Sequence, residues 1–175
     1  LAMREMVYVG VEGLIGEVIS IEDKQAIIQV YENTEGLKFG EKIEGTGAPM
    51  TVTLGPGLMS NIFDGIARPL SKMAAISGAF ISRGLKVDAI DTDRKWSIKV
   101  LSSAGDKADG GQIIAETRET ESIIHRIMLP PNIKGEIIWA APDGDYTVND
   151  TLVKVKTEKG EVSVSAMQKW PIRIE

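Results

Sequence analysis

The second half of the chain contains the segment Ala104-Gly105-Asp106-Lys107-Ala108-Asp109-Gly110-Gly111-Gln112-Ile113-Ile114. It recurs 39 residues later as Asp143-Gly144-Asp145-Tyr146-Thr147-Val148-Asn149-Asp150-Thr151-Leu152-Val153. In each copy a Gly-Asp turn precedes a second polar turn, and an apolar strand follows. Two copies that share one core predict a pseudo-twofold β-sandwich with an internal repeat.

Strand patterns surround this repeat throughout the second half of the chain. Runs rich in β-branched and aromatic residues, bounded by turn residues, are typical of strands. They cover residues 96–101, 112–117, 122–129, 135–140, 151–156 and 162–167. The first half has shorter runs at 5–10, 13–21, 25–31 and 50–54, separated by glycine-containing turns. Such spacing predicts a small antiparallel β-barrel, so the fold class is mainly β.

Between the two β regions, the spacing of apolar residues changes from the alternation of strands to a helical period. Leu58, Ile62 and Ile66 recur every four residues, as on one face of a helix. Pro69 is suited to the first turn of another short helix, and Gly78 is suited to end it. Residues 55–85 are therefore predicted to be a linker with one or two short helices.

Composition excludes several kinds of chemistry. The chain has no cysteine and one histidine, so disulfides, thiolate catalysis, a multi-histidine metal site and a conventional catalytic triad are excluded. Residues 1–70 carry five basic and ten acidic side chains. That excess of negative charge disfavours nucleic acid as a partner. No apolar run is long enough to span a bilayer, so membrane contact is expected only through partner proteins.

A carrier function is the first alternative, because biotinyl and lipoyl domains are barrel-sandwich hybrids with a modifiable lysine at a hairpin tip. The matching positions here are Glu116-Thr117-Arg118-Glu119, and the lysine position is Glu119. The sequence has no lysine between Glu116 and Ile133. The scaffold resembles a carrier, but the amine needed for attachment is absent.

Other candidate sites are explained by structure. The glycine groups 45–47 and 55–57 lack the lysine and the strand-to-helix setting of a phosphate-binding loop. His125 alternates into a strand and is expected to be hydrogen-bonded at a domain surface. Asp88, Asp91 and Asp93 lack the glycine and distal glutamate of an EF-hand, so they are expected to cap turns. No catalytic, cofactor-binding or metal-binding residue is predicted.

Three tryptophans, Trp96, Trp139 and Trp170, lie in or beside strands and are expected to fill cores. A second alternative, a translation-factor-like barrel that binds RNA or protein, remains open. The low aromatic fraction of 5% and the acidic first segment weigh against RNA.

A series of phrases in order along the chain carries a family resemblance. They are Gly13-Leu14-Ile15-Gly16-Glu17-Val18-Ile19, Ile28-Gln29-Val30-Tyr31-Glu32-Asn33-Thr34-Glu35-Gly36-Leu37, Leu54-Gly55-Pro56-Gly57-Leu58, Ile62-Phe63-Asp64-Gly65-Ile66, Arg68-Pro69-Leu70, His125-Arg126-Ile127-Met128-Leu129-Pro130-Pro131 and Met167-Gln168-Lys169-Trp170-Pro171. Together they resemble the catalytic A subunit of the A/V-type rotary ATPases.

The resemblance implies a domain plan and a non-catalytic role. Residues 1–54 would form the N-terminal barrel, 55–85 a helical linker, 86–167 the bulge domain, and 168–175 the start of a connection to a nucleotide-binding domain. That domain, which binds ATP and magnesium, would follow this segment. The barrel would lack its first strand, and both chain ends interrupt strand-like sequence, so we expect a segment of a longer polypeptide.

The resemblance also implies partners and a location. In the family, barrels of alternating A and B subunits form a ring, and the bulge projects toward the peripheral stalks. The parent couples ATP synthesis or hydrolysis to proton or sodium transport. The complex lies in the cytoplasm, on the inner face of the membrane.

Overall fold

The computed structural model describes residues 1–59, 61–78, 80 and 82–173. The chain packs as two compact units. The first comprises Leu1–Val52, Ile62–Val87 and the chain end from Trp170; the second comprises Thr53–Asn61 and Asp88–Lys169. The domain limits expected from the sequence stay predictions, and the structure adds that residues 62–87 pack with the first unit.

An antiparallel four-stranded sheet forms the first unit. Its strands, β1 (Glu5–Val9), β2 (Leu14–Glu22), β3 (Gln25–Val30) and β4 (Ile43–Pro49), are ordered β3-β2-β1-β4. Alternating side chains of β1 and β2 supply the core. The buried set is Val7, Val9, Leu14 and Val18. The sequence patterns did not predict β4, because its Gly-Thr-Gly centre leaves no apolar alternation, and every position of the strand is exposed.

One short helix, α1 (Leu70–Ser77), lies in the segment between the β regions. It begins after Pro69 and ends at Gly78, as the sequence predicted, and it buries Met73. Preceding it, β5 (Thr51–Leu54) pairs with the last strand, β14 (Gln168–Pro171). No helix in the part of the chain that the structure describes is long and apolar enough to cross a membrane.

The helical interpretation of Leu58, Ile62 and Ile66 was wrong for the described residues. This stretch contains a bridge between Phe63 and Pro69 instead of a helix. The Asp64 carboxylate accepts hydrogen bonds from the backbone N–H groups of Ile66 and Arg68. An aspartate that bonds its own following backbone competes with helix formation and favours a turn.

Two four-stranded sheets form the second unit, a barrel-sandwich. One, ordered β11-β6-β8-β9, combines Gly144–Tyr146, Trp96–Val100, Ile113–Arg118 and Ile124–Met128. The other, ordered β13-β12-β10-β7, combines Gly160–Ser165, Thr151–Thr157, Gly135–Ala140 and Lys107–Ala108. Neighbouring strands in both sheets run antiparallel.

The internal repeat explains this topology. A shift of 39 residues carries β6, β7, β8 and β9 approximately onto β10, β11, β12 and β13. The short strand of each copy pairs with the other copy: β7 joins β10, and β11 joins β6. Because each copy completes the other's sheet, neither can bury its apolar face alone. The mainly β fold class with one short helix and an internal repeat is confirmed.

The core of the second unit is built around β8 and β12, the third strand of each repeat copy. Ile114 and Ala115 of the first copy and Leu152 and Val153 of the second are completely buried. They pack with Ile127, Leu129, Ile137 and Val155 in one cluster.

Adjacent isoleucines in β8 provide a test of this core. Ile114 is completely buried, whereas Ile113 is 39% exposed. Replacing Ile114 with alanine is expected to lower the free energy of unfolding of the second unit by about 2–5 kcal/mol. Replacing Ile113 with alanine should cost less than about 1 kcal/mol. Urea denaturation followed by tryptophan fluorescence measures both, and equal losses would contradict the assigned burial.

Candidate functional site

Glu119, at the position where a carrier domain would present its lysine, is folded inward. Its side chain is only 3% exposed. One carboxylate oxygen, Oε1, accepts hydrogen bonds from the backbone N–H groups of Gly57 at 2.7 Å and Met59 at 2.9 Å. The other, Oε2, lies 3.1 Å from Nδ1 of His125. The hairpin tip therefore offers neither an amine nor an exposed attachment point.

His125 is accounted for by the same contact. It lies on β9 opposite Thr117 of β8, and its side chain is 25% exposed. The nearest carboxylate, that of Glu119, is already engaged by two backbone N–H groups. This geometry orients the imidazole as a structural hydrogen-bonding group beside a buried carboxylate.

Of the three aspartates predicted to cap turns, Asp91 is seen to do so. Asp91 accepts hydrogen bonds from the backbone N–H groups of Asp93 at 3.0 Å and Arg94 at 3.2 Å, as a turn-capping carboxylate does. Within the described ranges, no group of three or more histidine, aspartate or glutamate side chains is arranged to hold a metal ion.

The prediction that tryptophans fill cores is confirmed for Trp96 and was wrong for Trp139. Trp96 is 4% exposed and lies beneath the Arg94 guanidinium, 3.9 Å from the ring centroid. Trp139 is 42% exposed because a β-bulge interrupts β10 between Ile137 and Trp139. The extra residue turns Ile138 and Trp139 outward together. The repeat equivalent of Trp139, Val100, lies in a pairing with no such shift.

A partly buried ion network links separate segments of the first unit. The Arg68 side chain is 12% exposed and donates from Nη1 to Glu32 at 3.0 Å and from Nε to Asp64 at 2.8 Å. The Glu32 side chain is 5% exposed, and it also accepts from the backbone N–H of Gly84 at 3.0 Å and of Ile15 at 3.2 Å. The network therefore fastens residues 64–68 and 84 to Glu32, which follows the end of β3.

The four-residue spacing of Asp64 and Arg68 could have revealed half of this network. Glu32 could not have been found, because 36 residues separate it from Arg68. Around the network, Arg83 bonds Glu12 and the carbonyl oxygen of Glu35, and Lys86 lies over the Tyr8 ring. Residues 83–86 thus form a strap across the first sheet.

A small cavity of about 90 Å³ lies in the first unit beside a second polar cluster. Tyr31 donates a 2.5 Å hydrogen bond to Glu17, and Arg173 contacts the same carboxylate at 3.1 Å. The Glu17 carboxylate raises the pKa of the Tyr31 hydroxyl. Because Arg173 and Tyr31 already occupy Glu17, this cluster anchors the chain end to the sheet.

The Asp64 carboxyl yields a pH prediction. Burial acts to raise its pKa, but hydrogen bonds from the Arg68 backbone, the Arg68 guanidinium and the Ile66 backbone hold the pKa below its ordinary value of 3.8. The ionised carboxylate therefore stabilises the fold above that pH, and this stabilisation is lost as pH falls through the folded-state pKa.

The test compares the wild-type chain with Asp64→Asn by urea denaturation from neutral to acid pH. The stability difference between them should be constant above about pH 4 and shrink below it, because asparagine does not titrate. A difference that stays constant into strong acid would contradict the assigned hydrogen bonds.

Two protein-family models cover most of the chain in the order of its two units. The ATP synthase alpha/beta family beta-barrel domain matches residues 1–47. The ATP synthase alpha/beta subunit barrel-sandwich domain matches residues 87–173. The chain therefore belongs to the ATP synthase alpha/beta family.

Within that family the similarity runs to the A subunit. The chain is 48% identical over 172 residues to the A subunit of the A-type ATP synthase of Methanosphaera stadtmanae, covering 98% of this chain and 29% of that protein. It is 47% identical over 172 residues to the V-type ATP synthase alpha chain of Halothermothrix orenii, with the same coverage. It is 48% identical over 174 residues to the A subunit of the A-type ATP synthase of Pyrococcus horikoshii, covering 99% of this chain and 18% of that protein.

The family resemblance carried by the sequence phrases is thereby confirmed. The chain spans less than a third of the length of these curated relatives.

Proposed function

We propose that this chain supplies the non-catalytic N-terminal part of the A subunit of a rotary ATPase, and that it serves ring assembly and peripheral-stalk contact. One observation carries the proposal. Sequence identity of 47–48% covers 98% of this chain but only 29% of the length of the relatives named as the A subunit or the alpha chain. The order of the two matched domains, barrel then barrel-sandwich, supports it.

In this proposal the whole protein synthesises or hydrolyses ATP in a complex that transports protons or sodium ions. ATP and magnesium would be bound by a nucleotide-binding domain that follows these residues. The complex would be cytoplasmic and peripheral to the inner face of the membrane. The described residues bear load, because sheet ladders and a buried core resist displacement of one strand past another.

The first unit would contact the neighbouring B subunits through a preorganised loop pair. Phe39 is fully exposed and Val11 is 94% exposed. The Glu41 carboxylate ties their loops together by accepting from the backbone N–H groups of Lys38 at 2.9 Å and Val11 at 3.1 Å. An exposed aromatic on a rigid loop is a common interface anchor, because little conformational entropy is lost on binding.

The second unit would contact the peripheral stalk through Ile138 and Trp139. The bulge that turns both outward is missing from the equivalent strand of the first repeat copy. A departure from internal symmetry that exposes a tryptophan at a sheet surface supports a binding role over a packing role.

These contacts predict an assembly defect without loss of folding. In the full-length A subunit, Phe39→Ser should weaken association with B subunits, and Trp139→Ser should weaken stalk binding, each about tenfold or more. Ile124→Ser, at a residue 53% exposed on the other sheet of the second unit, is the matched control for Trp139. Native gel titration measures both associations, and wild-type affinity in the two variants would overturn the assigned surfaces.

The isolated chain is expected to show no ATP turnover. Phosphate release by a purified preparation should match the buffer blank over a range of ATP and magnesium concentrations. ATP turnover that disappears when a residue within 1–175 is substituted would contradict this expectation. The carrier alternative predicts a covalent adduct in the intact mass; the inward, hydrogen-bonded Glu119 weighs against it.

A further inference from the structure

The segment Thr53–Asn61 has no charged residue of its own, yet it packs with the second unit. Leu58 supplies apolar contact with the core of that unit. The polar attachment comes from elsewhere in the sequence, through the Glu119 carboxylate that accepts from Gly57 and Met59.

Two backbone N–H groups that converge on one oxygen form a small anion-binding nest. Hydrogen bonds to a charged acceptor are stronger than those between neutral groups. The Glu119 side chain is only 3% exposed, so its carboxylate is largely shielded from water. His125, on the second carboxylate oxygen, orients the group toward the turn.

The turn itself is built for close approach. Gly57 has a φ of +105°, a backbone conformation that residues with a side chain rarely adopt. A Cβ atom at Gly57 would also lie 3.3 Å from the Trp96 ring. In addition, the Asn61 side chain donates to the Gly57 carbonyl oxygen at 2.7 Å.

We propose that Glu119 is a latch: a positioning residue that fastens the Gly57–Met59 turn to the barrel-sandwich. The hairpin tip that presents a lysine for modification in carrier domains here presents a carboxylate that binds the chain's own backbone. The latch holds in place the segment that directly follows β5. Opening the latch frees the turn without unfolding the sheets.

Hydrogen exchange followed by NMR on the intact chain tests the latch. In Glu119→Ala, the amide protons of Gly57 and Met59 should exchange about tenfold faster or more, because each loses its acceptor. Glu119→Gln keeps a carbonyl oxygen at the same place, so it should show a smaller increase. The amides of Leu101 and Ile137, which donate to Ile114 and Asp106, should keep their wild-type rates.

Glu121→Ala, on the same hairpin but with an exposed residue, is the matched control and should change neither turn amide. Unchanged exchange at Gly57 and Met59 in Glu119→Ala would overturn the proposal, as would an increase shared equally by Leu101 and Ile137. If the alanine variant does not fold, the glutamine variant decides by the same comparison of turn amides with core amides.

Discussion

Replacing Arg68 with methionine is expected to lower the free energy of unfolding of the first unit by about 3–5 kcal/mol. Methionine keeps much of the side-chain volume but leaves Glu32 and Asp64 without their cation. The Glu32 side chain is 5% exposed, so water can compensate its charge only poorly. The loss of stability is measured by urea denaturation, with hydrogen exchange in peptides from β1 and β2 as the signal for unfolding of the first unit.

The exposed pair formed by Lys42 and Glu44 is the matched control. Their side chains are 79% and 57% exposed, and replacing Lys42 with methionine should have no more than a small effect on stability. Arg68→Lys should fall between the two, because one ammonium cannot reproduce the two separate guanidinium contacts. Similar losses for Arg68→Met and Lys42→Met would refute the stabilising role of the partly buried network.

Replacing Gly84 with alanine is expected to destabilise the first unit by about 3 kcal/mol or more, the sum of two separate costs. Gly84 has a φ of +67°, which costs an L-residue about 1–2 kcal/mol. Its new Cβ would also overlap the carbonyl oxygen of Glu12, and that backbone cannot move aside as a flexible side chain can. The strain falls on the strap where the Gly84 N–H meets Glu32.

Gly40→Ala separates conformational strain from overlap. Gly40 has a φ of +86° but no atom within 4 Å of its would-be Cβ. Only the conformational cost of about 1–2 kcal/mol is therefore expected there. Thermal denaturation of both variants, followed by hydrogen exchange in the same peptides from β1 and β2, gives the comparison. A loss of stability in Gly84→Ala no larger than that in Gly40→Ala would show that the strap is not packed as described.

The sequence was most informative where local patterns repeat. The two Gly-Asp turns predicted the internal repeat and the shared core, since each copy leaves an apolar strand that needs a partner. Pro69 and Gly78 predicted the limits of α1, because both signals act within one helical turn. The long strands were recovered for the same reason: their alternation is local.

Features that depend on distant contacts could not be predicted this way. The exchange of β7 and β11 between the repeat copies involves two- and three-residue strands with no pattern of their own. The bulge that exposes Trp139 changes the register by one residue, so simple alternation assigned the side chain to the wrong face. Glu119 looked like a substitution at a carrier site, and only the fold brings it to a turn about sixty residues earlier in the chain.

The two units suggest a division of labour in the proposed assembly. In the first unit, the Arg68 network and the strap at 83–86 fasten residues 64–68 and 83–86 to the four-stranded sheet. In the second, the exchanged strands make one core from two repeat copies. Each unit leaves a large aromatic side chain exposed, Phe39 in the first and Trp139 in the second, and we propose these as the contacts for partners.

Native mass spectrometry of this chain mixed with the B subunit that we propose as its neighbour, without nucleotide, tests the central claim most directly. The full-length A subunit serves as the positive control, and the Phe39→Ser chain as the matched variant. The account predicts a complex containing this chain and the B subunit, weakened by the Phe39 substitution. Absence of any complex, under conditions in which the full-length A subunit forms one, would contradict a role in holding neighbouring subunits.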